Sequence, residues 1–371
     1  MAWERIIGQQ RVKRLLQRMH GNERIPHALL FHGPDGVGKE ATAIEFARVL
    51  NCEEGTWEAC GRCASCRAMA ALQHPHLKLI FPLPSRDGEE TAFDKLTPDE
   101  IEDINSQIAE KAENPYYRIT VPKAAGIKIA SIRDIRREAS FRAGRSGRTV
   151  VLICEADRMN PSAANALLKT LEEPTGDLLL ILSTSRKDAL LPTILSRCQL
   201  LRFDVLSEQD ILSGLQRQQD LDRENIATAA HLAAGNYRLA LEMAQEGGLV
   251  SREEVLEYLR SVVLNNPVRL MQRIQTILDR ESRQTLVRFL VSVASWFRDV
   301  LALQEGAAQL LNADLRDPLE KFAEHYPEAR CSDAIDEIEQ CIALIPKNVH
   351  LVTMMIVLSQ RLRKCIVSPA A

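Results

Sequence analysis

Ala28-Leu29-Leu30-Phe31-His32-Gly33-Pro34-Asp35-Gly36-Val37-Gly38-Lys39-Glu40 passes from an apolar run through a glycine-rich turn into a helical pattern that continues from Ala41 to Leu50. Residues 33–40 follow G-x-x-x-x-G-K, and their flanks are the strand and helix that this motif requires. Glycines let backbone N–H groups turn inward, the helix N-terminus favours an anion, and Lys39 supplies positive charge for terminal phosphates. Further apolar strands are predicted at Thr149–Ile153 and Leu178–Leu182, separated by a helix from Ser162 to Glu173 that Pro161 opens and Pro174 ends. Continuous apolar strands alternating with helices predict an α/β fold whose parallel sheet is covered on both faces.

Past about residue 206 strand patterns give way to helical periodicity, as in Ala227–Gln245, Val268–Asp279 and Ile335–Leu344, with joints at Gly235 and Gly247-Gly248. The expected division is a P-loop domain over 1–205, a small helical lid over 206–248 and a helical domain over 249–371. A chain of 371 residues fits two or three such domains. Residues 86–113 stand apart, with ten acidic and three basic side chains and a helix start at Thr97-Pro98-Asp99-Glu100, and are expected to be a surface insertion.

The net charge of −3 gives no global bias toward nucleic acid. Met1-Ala2-Trp3-Glu4-Arg5 lacks a basic and apolar leader pattern, and no run approaches the roughly 20 apolar residues of a membrane span, so the expected location is cytoplasmic. In a reducing compartment clustered cysteines are metal-ligand candidates. Cys52, Cys60, Cys63 and Cys66 form one cluster of four thiols, which suits a closed tetrahedral Zn²⁺ site with a structural role. Arg62 and Arg67 are placed to offset its charge. An iron–sulfur cluster or ordinary buried cysteines are the alternatives.

The phosphate loop itself is altered where magnesium would be organised. Its eighth position, normally Ser or Thr for Mg²⁺, is Glu40, and the position after the Thr149–Ile153 strand, normally Asp, is Cys154. A thiol is a soft ligand for a hard cation. Glu155 keeps the neighbouring carboxylate. Two losses on the magnesium side predict no Mg²⁺-dependent hydrolysis and leave ATP binding doubtful; harmless substitutions in a working enzyme are the alternative.

Leu191-Pro192-Thr193-Ile194-Leu195-Ser196-Arg197-Cys198, with Asn165 to Pro174, resembles the clamp-loader branch of AAA+ ATPases, whose signature is the Ser-Arg-Cys triplet. The resemblance implies an AAA+ parallel-sheet domain with a zinc knuckle at about 50–68, then a lid and a helical collar that holds subunits in a ring. It also implies that Arg197 acts in trans as an arginine finger, neutralising charge at a neighbour's ATP site. Trp3 to Gln9 resembles the adenine-side element, and Ser185 and Arg238 resemble sensor positions. In the bacterial DNA polymerase III loader, gamma/tau subunits keep their ATPase residues and delta-prime subunits do not, so the losses resemble the delta-prime type. The implied partners are gamma/tau and delta subunits, the sliding clamp and primed DNA. Within the arginine-rich stretch 131–148, which carries Arg133, Arg136, Arg137, Arg142, Arg145 and Arg148, the resemblance makes Ser131 and Arg133 candidates for phosphate contact.

Overall fold

A computed structural model describes the chain except residues 1, 85–95, 143–146, 175–176, 219–220, 222, 246–251, 265, 280–282, 307–309, 311–314, 346–348 and 368–371. The opening strand, β1 (Ala28–His32), lies inside a five-stranded parallel sheet. Its companions are β2 (Leu77–Ile80), β5 (Thr149–Ile153), β6 (Leu178–Thr184) and β7 (Gln199–Arg202), in the order β2-β5-β6-β1-β7. Leu29 pairs with Ile181 on one side and Gln199 on the other. β5 and β6 are buried along their whole length, which is why they read as unbroken apolar runs. The edge strands β2 and β7 interleave Lys78, Gln199 and Arg202 with apolar residues and are only partly covered, so their sequence signal is weaker. A separate antiparallel pair joins β3 (Leu83–Pro84) to β4 (Ala124–Gly126).

Helices α1 (Gln10–Gly21), α2 (Lys39–Leu50), α3 (Ala64–Ala70), α4 (Pro98–Glu113), α5 (Ile129–Arg142), α6 (Pro161–Glu172), α7 (Pro192–Leu195) and α8 (Glu208–Leu215) complete this part. Leu30, Val151, Leu180 and Leu182 of the sheet pack with Ile135 of α5 and Leu167 of α6 in one core. Asn160 caps α6 by accepting from Ala163 N–H at 2.7 Å, and Pro161 follows at the first turn, where its missing N–H costs nothing.

The chain divides into two compact units, residues 1–217 with 233–239, and residues 218–232 with 240–371. The segment Ala227–Gln245, with its expected joint at Gly235, is two helices, α9 (Arg223–Leu232) and α10 (Tyr237–Gln245), broken where Ala234 and Gly235 take positive φ. The second unit continues through α11 (Arg252–Val263), α12 (Pro267–Leu278), α13 (Arg283–Gln304), α14 (Arg316–His325), α15 (Cys331–Leu344) and α16 (Leu351–Val367). Its core gathers Tyr258, Phe289, Leu290, Phe297 and Leu362, and the one polar atom of Tyr258 meets Ser359 Oγ at 2.8 Å. Among the described residues no helix is long and apolar enough to cross a membrane.

Candidate functional site

The phosphate loop leaves the C-terminal end of β1 and enters α2, as the sequence requires. Gly36 and Gly38 hold φ of +69° and +91°, and a Cβ on Gly36 would lie 1.6 Å from Asn236 Oδ1. Lys39 is buried and turns back on its own loop, donating to the carbonyls of Gly33 at 2.7 Å and of Pro34. Burial lowers its pKa, with the nearby carboxylates of Asp35 and Glu40 opposing.

Glu40 is not an unpaired acid beside the loop. Lys111, from the last turn of α4 and only 1% exposed, donates to Glu40 Oε2 at 2.5 Å and to the Tyr117 carbonyl at 2.7 Å. Ser183 Oγ stands 3.4 Å from the other Glu40 oxygen. Burial alone would raise the Glu40 carboxyl, but the Lys111 ammonium and its hydrogen bond outweigh it and hold the pKa below the ordinary range. Next to it, burial and the Glu40 charge push the Cys154 thiol far up, so it stays protonated.

The rest of the site is filled by the same segment. Tyr116 packs against Gly38, where an added Cβ would come within 2.9 Å of its hydroxyl, and that hydroxyl accepts from Ile7 N–H at 2.8 Å. Arg118 forks onto Glu155 at 3.1 and 2.5 Å and lies 3.6 Å from Asp35. Glu155, in a left-handed conformation at φ 50°, is thereby turned to Arg118 and Arg158. Arg238 reaches Asp35 at 3.6 Å, which brings the expected sensor arginine to the loop. What remains between these groups is a cavity of about 50 Å³. It has room for water.

Several of these residues escaped the sequence reading. Residues 86–113 were expected to be a surface insertion; residues 85–95 lie outside the described part, but α4 is anchored, with Ile104, Gln107 and Lys111 forming a buried stripe. That i, i+3, i+7 stripe ending in a lone cation was the available signal. Thr97 and Glu100 do form the capping box that marks its start. Ser185 is exposed, and Ser183, two residues earlier, is the hydroxyl that faces Glu40.

The four cysteines converge as expected. All four sulfurs lie within 4.8 Å of one another, Cys60 and Cys66 at 3.9 Å, and none is in a disulfide. A tetrahedron with metal–sulfur bonds of about 2.3 Å has edges of about 3.8 Å, so the set fits a Zn²⁺-sized ion. Backbone N–H groups of Cys60, Cys63 and Cys66 point at Cys52, Cys60 and Cys63 sulfurs at 3.3–3.4 Å, an arrangement that favours thiolate. For Cys63, burial raises the pKa but the backbone donors of Glu53 and Cys66 and the neighbouring thiols prevail and bring it to about 7, whereas burial pushes Cys66 up to about 12. Of the expected counter-charges, Arg62 is engaged by Glu54 at 2.9 Å, and Arg48 of α2 is the guanidinium that bonds Cys66. Trp57, in the same loop, stacks on Trp3 at 4.5 Å and accepts from its indole N–H at 3.1 Å, so the knuckle grips the amino-terminal turn Ala2–Arg5.

Arg197 follows α7 at the surface, 36% exposed in its side chain, with Glu172 at 2.8 Å and the Thr193 carbonyl at 3.0 Å. Ser131 is half-buried and Arg133 exposed in the first turns of α5, while the side chains of Arg136, Arg137, Arg142 and Arg145 lie outside the described part. Arg148 turns inward to the Ile25 carbonyl.

A G-x-x-x-x-G-K loop at the end of an interior parallel strand, an acidic position after β5 and a helix-borne arginine returning to the loop together define an AAA+ fold. The sequence model of the family described as DNA polymerase III, delta subunit, matches residues 8–207, more than half of the chain, and the chain belongs to that family. It is 29% identical over 230 residues to the DNA polymerase III subunit delta' of Haemophilus influenzae, covering 62% of this chain and 58% of that one. With the subunit delta' of Bacillus subtilis it shares 32% over 234 residues, 61% and 59% of the two chains. With the subunit tau of Bacillus subtilis it shares 28% over 250 residues, 66% of this chain and 37% of the other. The chain thus spans less than two thirds of the length of each of these relatives.

Proposed function

We propose that this chain is a non-hydrolysing, stator-like subunit of the DNA polymerase III clamp loader. It would complete a cytoplasmic ring with gamma/tau and delta subunits, help place the sliding clamp on primed DNA, and lend Arg197 to the ATP site of a neighbouring subunit. Its own contribution is scaffolding: a P-loop domain over 1–205 with zinc held by Cys52, Cys60, Cys63 and Cys66, a lid over 206–248 and a collar over 249–371. The observation that carries this function is the Glu40–Lys111 pair in the place where an ATPase organises magnesium. The cysteine at 154 supports it, since its thiol is kept protonated.

An active gamma/tau-like ATPase is the alternative, favoured by the match to the tau subunit of Bacillus subtilis. Both functions are separated by one reconstitution. The chain is mixed with gamma/tau and delta partners and DNA-stimulated ATPase is measured with Arg197 or with Arg197→Ala. A trans arginine accounts for roughly a thousandfold or more of phosphoryl-transfer rate in P-loop systems, so the variant ring should assemble and lose activity, partially if several sites share the ring. Lysine should rescue poorly, because it lacks the planar fork. Full activity in an assembled Arg197→Ala ring, or loader-like hydrolysis by the isolated chain that disappears in Lys39→Ala, would sink the stator function.

A further inference from the structure

The helix that reads as an insertion ends inside the phosphate-loop site, and what it delivers there is a charge of the same sign as the missing metal. We infer that Lys111 is a built-in cation that takes the place of the site's divalent metal and holds the loop in one conformation without nucleotide. This rests on the proposed non-hydrolysing character of the same site and names the device that enforces it.

Three observations converge on this assignment. In a working P-loop the eighth side chain touches the metal; here the eighth side chain, Glu40, touches the Lys111 ammonium at 2.5 Å, and Ser183 approaches the other carboxylate oxygen at 3.4 Å. The ammonium is not a surface charge that has drifted inward, because it is 1% exposed and its second partner is a main-chain carbonyl, that of Tyr117 at 2.7 Å. A buried lysine with a carboxylate and a carbonyl around it is a satisfied cation in a fixed place.

The neighbouring groups that would otherwise attract a metal or a phosphate are committed in the same way. Glu155 is forked by Arg118, Asp35 lies near both Arg118 and Arg238, and Lys39 is bonded to the carbonyls of Gly33 and Pro34. The short stretch from Lys111 to Arg118 therefore ties together elements that nucleotide joins in an ATPase: the loop through Glu40, the end of β5 through Glu155, and the adenine-side segment through the Tyr116 hydroxyl at Ile7. A cation supplied by the chain cannot dissociate, so the arrangement does not cycle.

The test uses the full zinc-loaded chain and Mn²⁺ as the probe, with binding followed by the loss of the free-ion electron-spin-resonance signal. The unaltered chain should take up no Mn²⁺ at a Glu40-dependent site. Lys111→Ala, which leaves Glu40 without its internal ammonium, should gain one such site, at least about tenfold tighter than any residual binding by the unaltered chain. The gain should disappear in Lys111→Ala/Glu40→Ala. Glu40-dependent Mn²⁺ binding by the unaltered chain, or a folded Lys111→Ala chain that gains none, would overturn the assignment. Should Lys111→Ala fail to fold, reductive methylation of the unaltered chain decides: Lys111 should react far more slowly than exposed Lys123, with or without Mg·ATP, and equal labelling would overturn the assignment. None of these results touches the Arg197 assay, which reads a neighbour's ATPase, so failure here and failure of the stator function remain distinct.

Discussion

The phosphate-loop site and the cysteine knuckle are both built around a place for a cation, and they have been completed in opposite ways. At the loop, Glu40 and Glu155 meet Lys111 and Arg118, side chains of the same polypeptide. At the knuckle, four sulfurs face one another within 4.8 Å; Arg48 bonds the Cys66 sulfur from outside the cluster, and Arg62 is held by Glu54. Carboxylates can be neutralised by an ammonium at hydrogen-bond distance, because one proton donor satisfies one oxygen. Four thiolates cannot, because their mutual repulsion needs a divalent centre bonded to all of them. On the proposed function, one site is independent of metal and the other depends on it for its shape.

Removing the metal should therefore give the largest effect in the molecule. Free energies of binding at structural zinc sites are of order 10 kcal/mol, and that energy is folding energy for the segment that holds the ion. Chelation, or Cys63→Ser, should release residues 51–63 and with them the stack of Trp57 on Trp3. Near-ultraviolet circular dichroism reads that stack, while Trp296, buried in the second unit, serves as an internal reference. About one zinc per chain is expected; a stack signal that survives full chelation would break the contrast.

Breaking the internal pair should cost less. Lys111→Met strands Glu40 among buried neighbours, and losing one partner of a buried pair typically destabilises by about 3–5 kcal/mol. Lys111→Met/Glu40→Met should recover much of that loss in thermal or denaturant unfolding, since well-packed apolar groups of similar size often replace a buried pair without penalty. If the single and double variants are equally destabilised, packing of α4 and not charge pairing is what matters.

Glu45 offers an intermediate case, a buried carboxylate whose cations do not suffice. It is 5% exposed on α2, and burial raises its pKa to about 7 against the opposing charges of Arg48, at 3.3 Å, and Arg5. A carboxyl raised above its unfolded value contributes stability that is fully present below about pH 4.5 and is lost as pH climbs through about 7. Glu45→Gln should therefore raise the melting temperature at pH 8, by the equivalent of about 1–3 kcal/mol, and change it little at pH 5. A pH-independent effect would show that Arg48 neutralises Glu45 as fully as Lys111 does Glu40.

What was legible in the sequence follows the same division between local and assembled features. β1 and β5 fall on their expected residues, and the expected third strand is lengthened to Thr184, because strands buried on both faces announce themselves as apolar runs. The cysteine ligand set is local too, three residues of one loop and Cys66 in the first turn of α3, and it converges as read. The replacements at Glu40 and Cys154 were visible because a motif fixes which residue belongs there. Lys111, Tyr116 and Arg118 were not, because they reach the loop from more than 70 residues away and no spacing rule links them to it. The acidity of 86–113 pointed outward and concealed Lys111, which points inward.

Arg197 completes the series as a cation whose proposed use lies outside this chain, and its removal should have the smallest effect on the chain itself. Its bonds are those of a surface group: Glu172 at 2.8 Å, with the two side chains 36% and 49% exposed, and the Thr193 carbonyl one turn back. Exposed pairs of this kind contribute about 0–1 kcal/mol and weaken further in salt, because water and mobile ions compete for both charges. Arg197→Ala should then unfold within about 1 kcal/mol of the unaltered chain, with zinc content and the Trp3–Trp57 signal intact. The contrast with Lys111 is the point of the measurement. Lys111 is spent on its own fold, so its loss should register in the isolated protein; an arginine held at the surface by one exposed carboxylate is free to be withdrawn from it by a stronger anion. A large destabilisation by Arg197→Ala in the isolated chain would place Arg197 with Lys111 among the structural cations and remove the reason for assigning it to a neighbour.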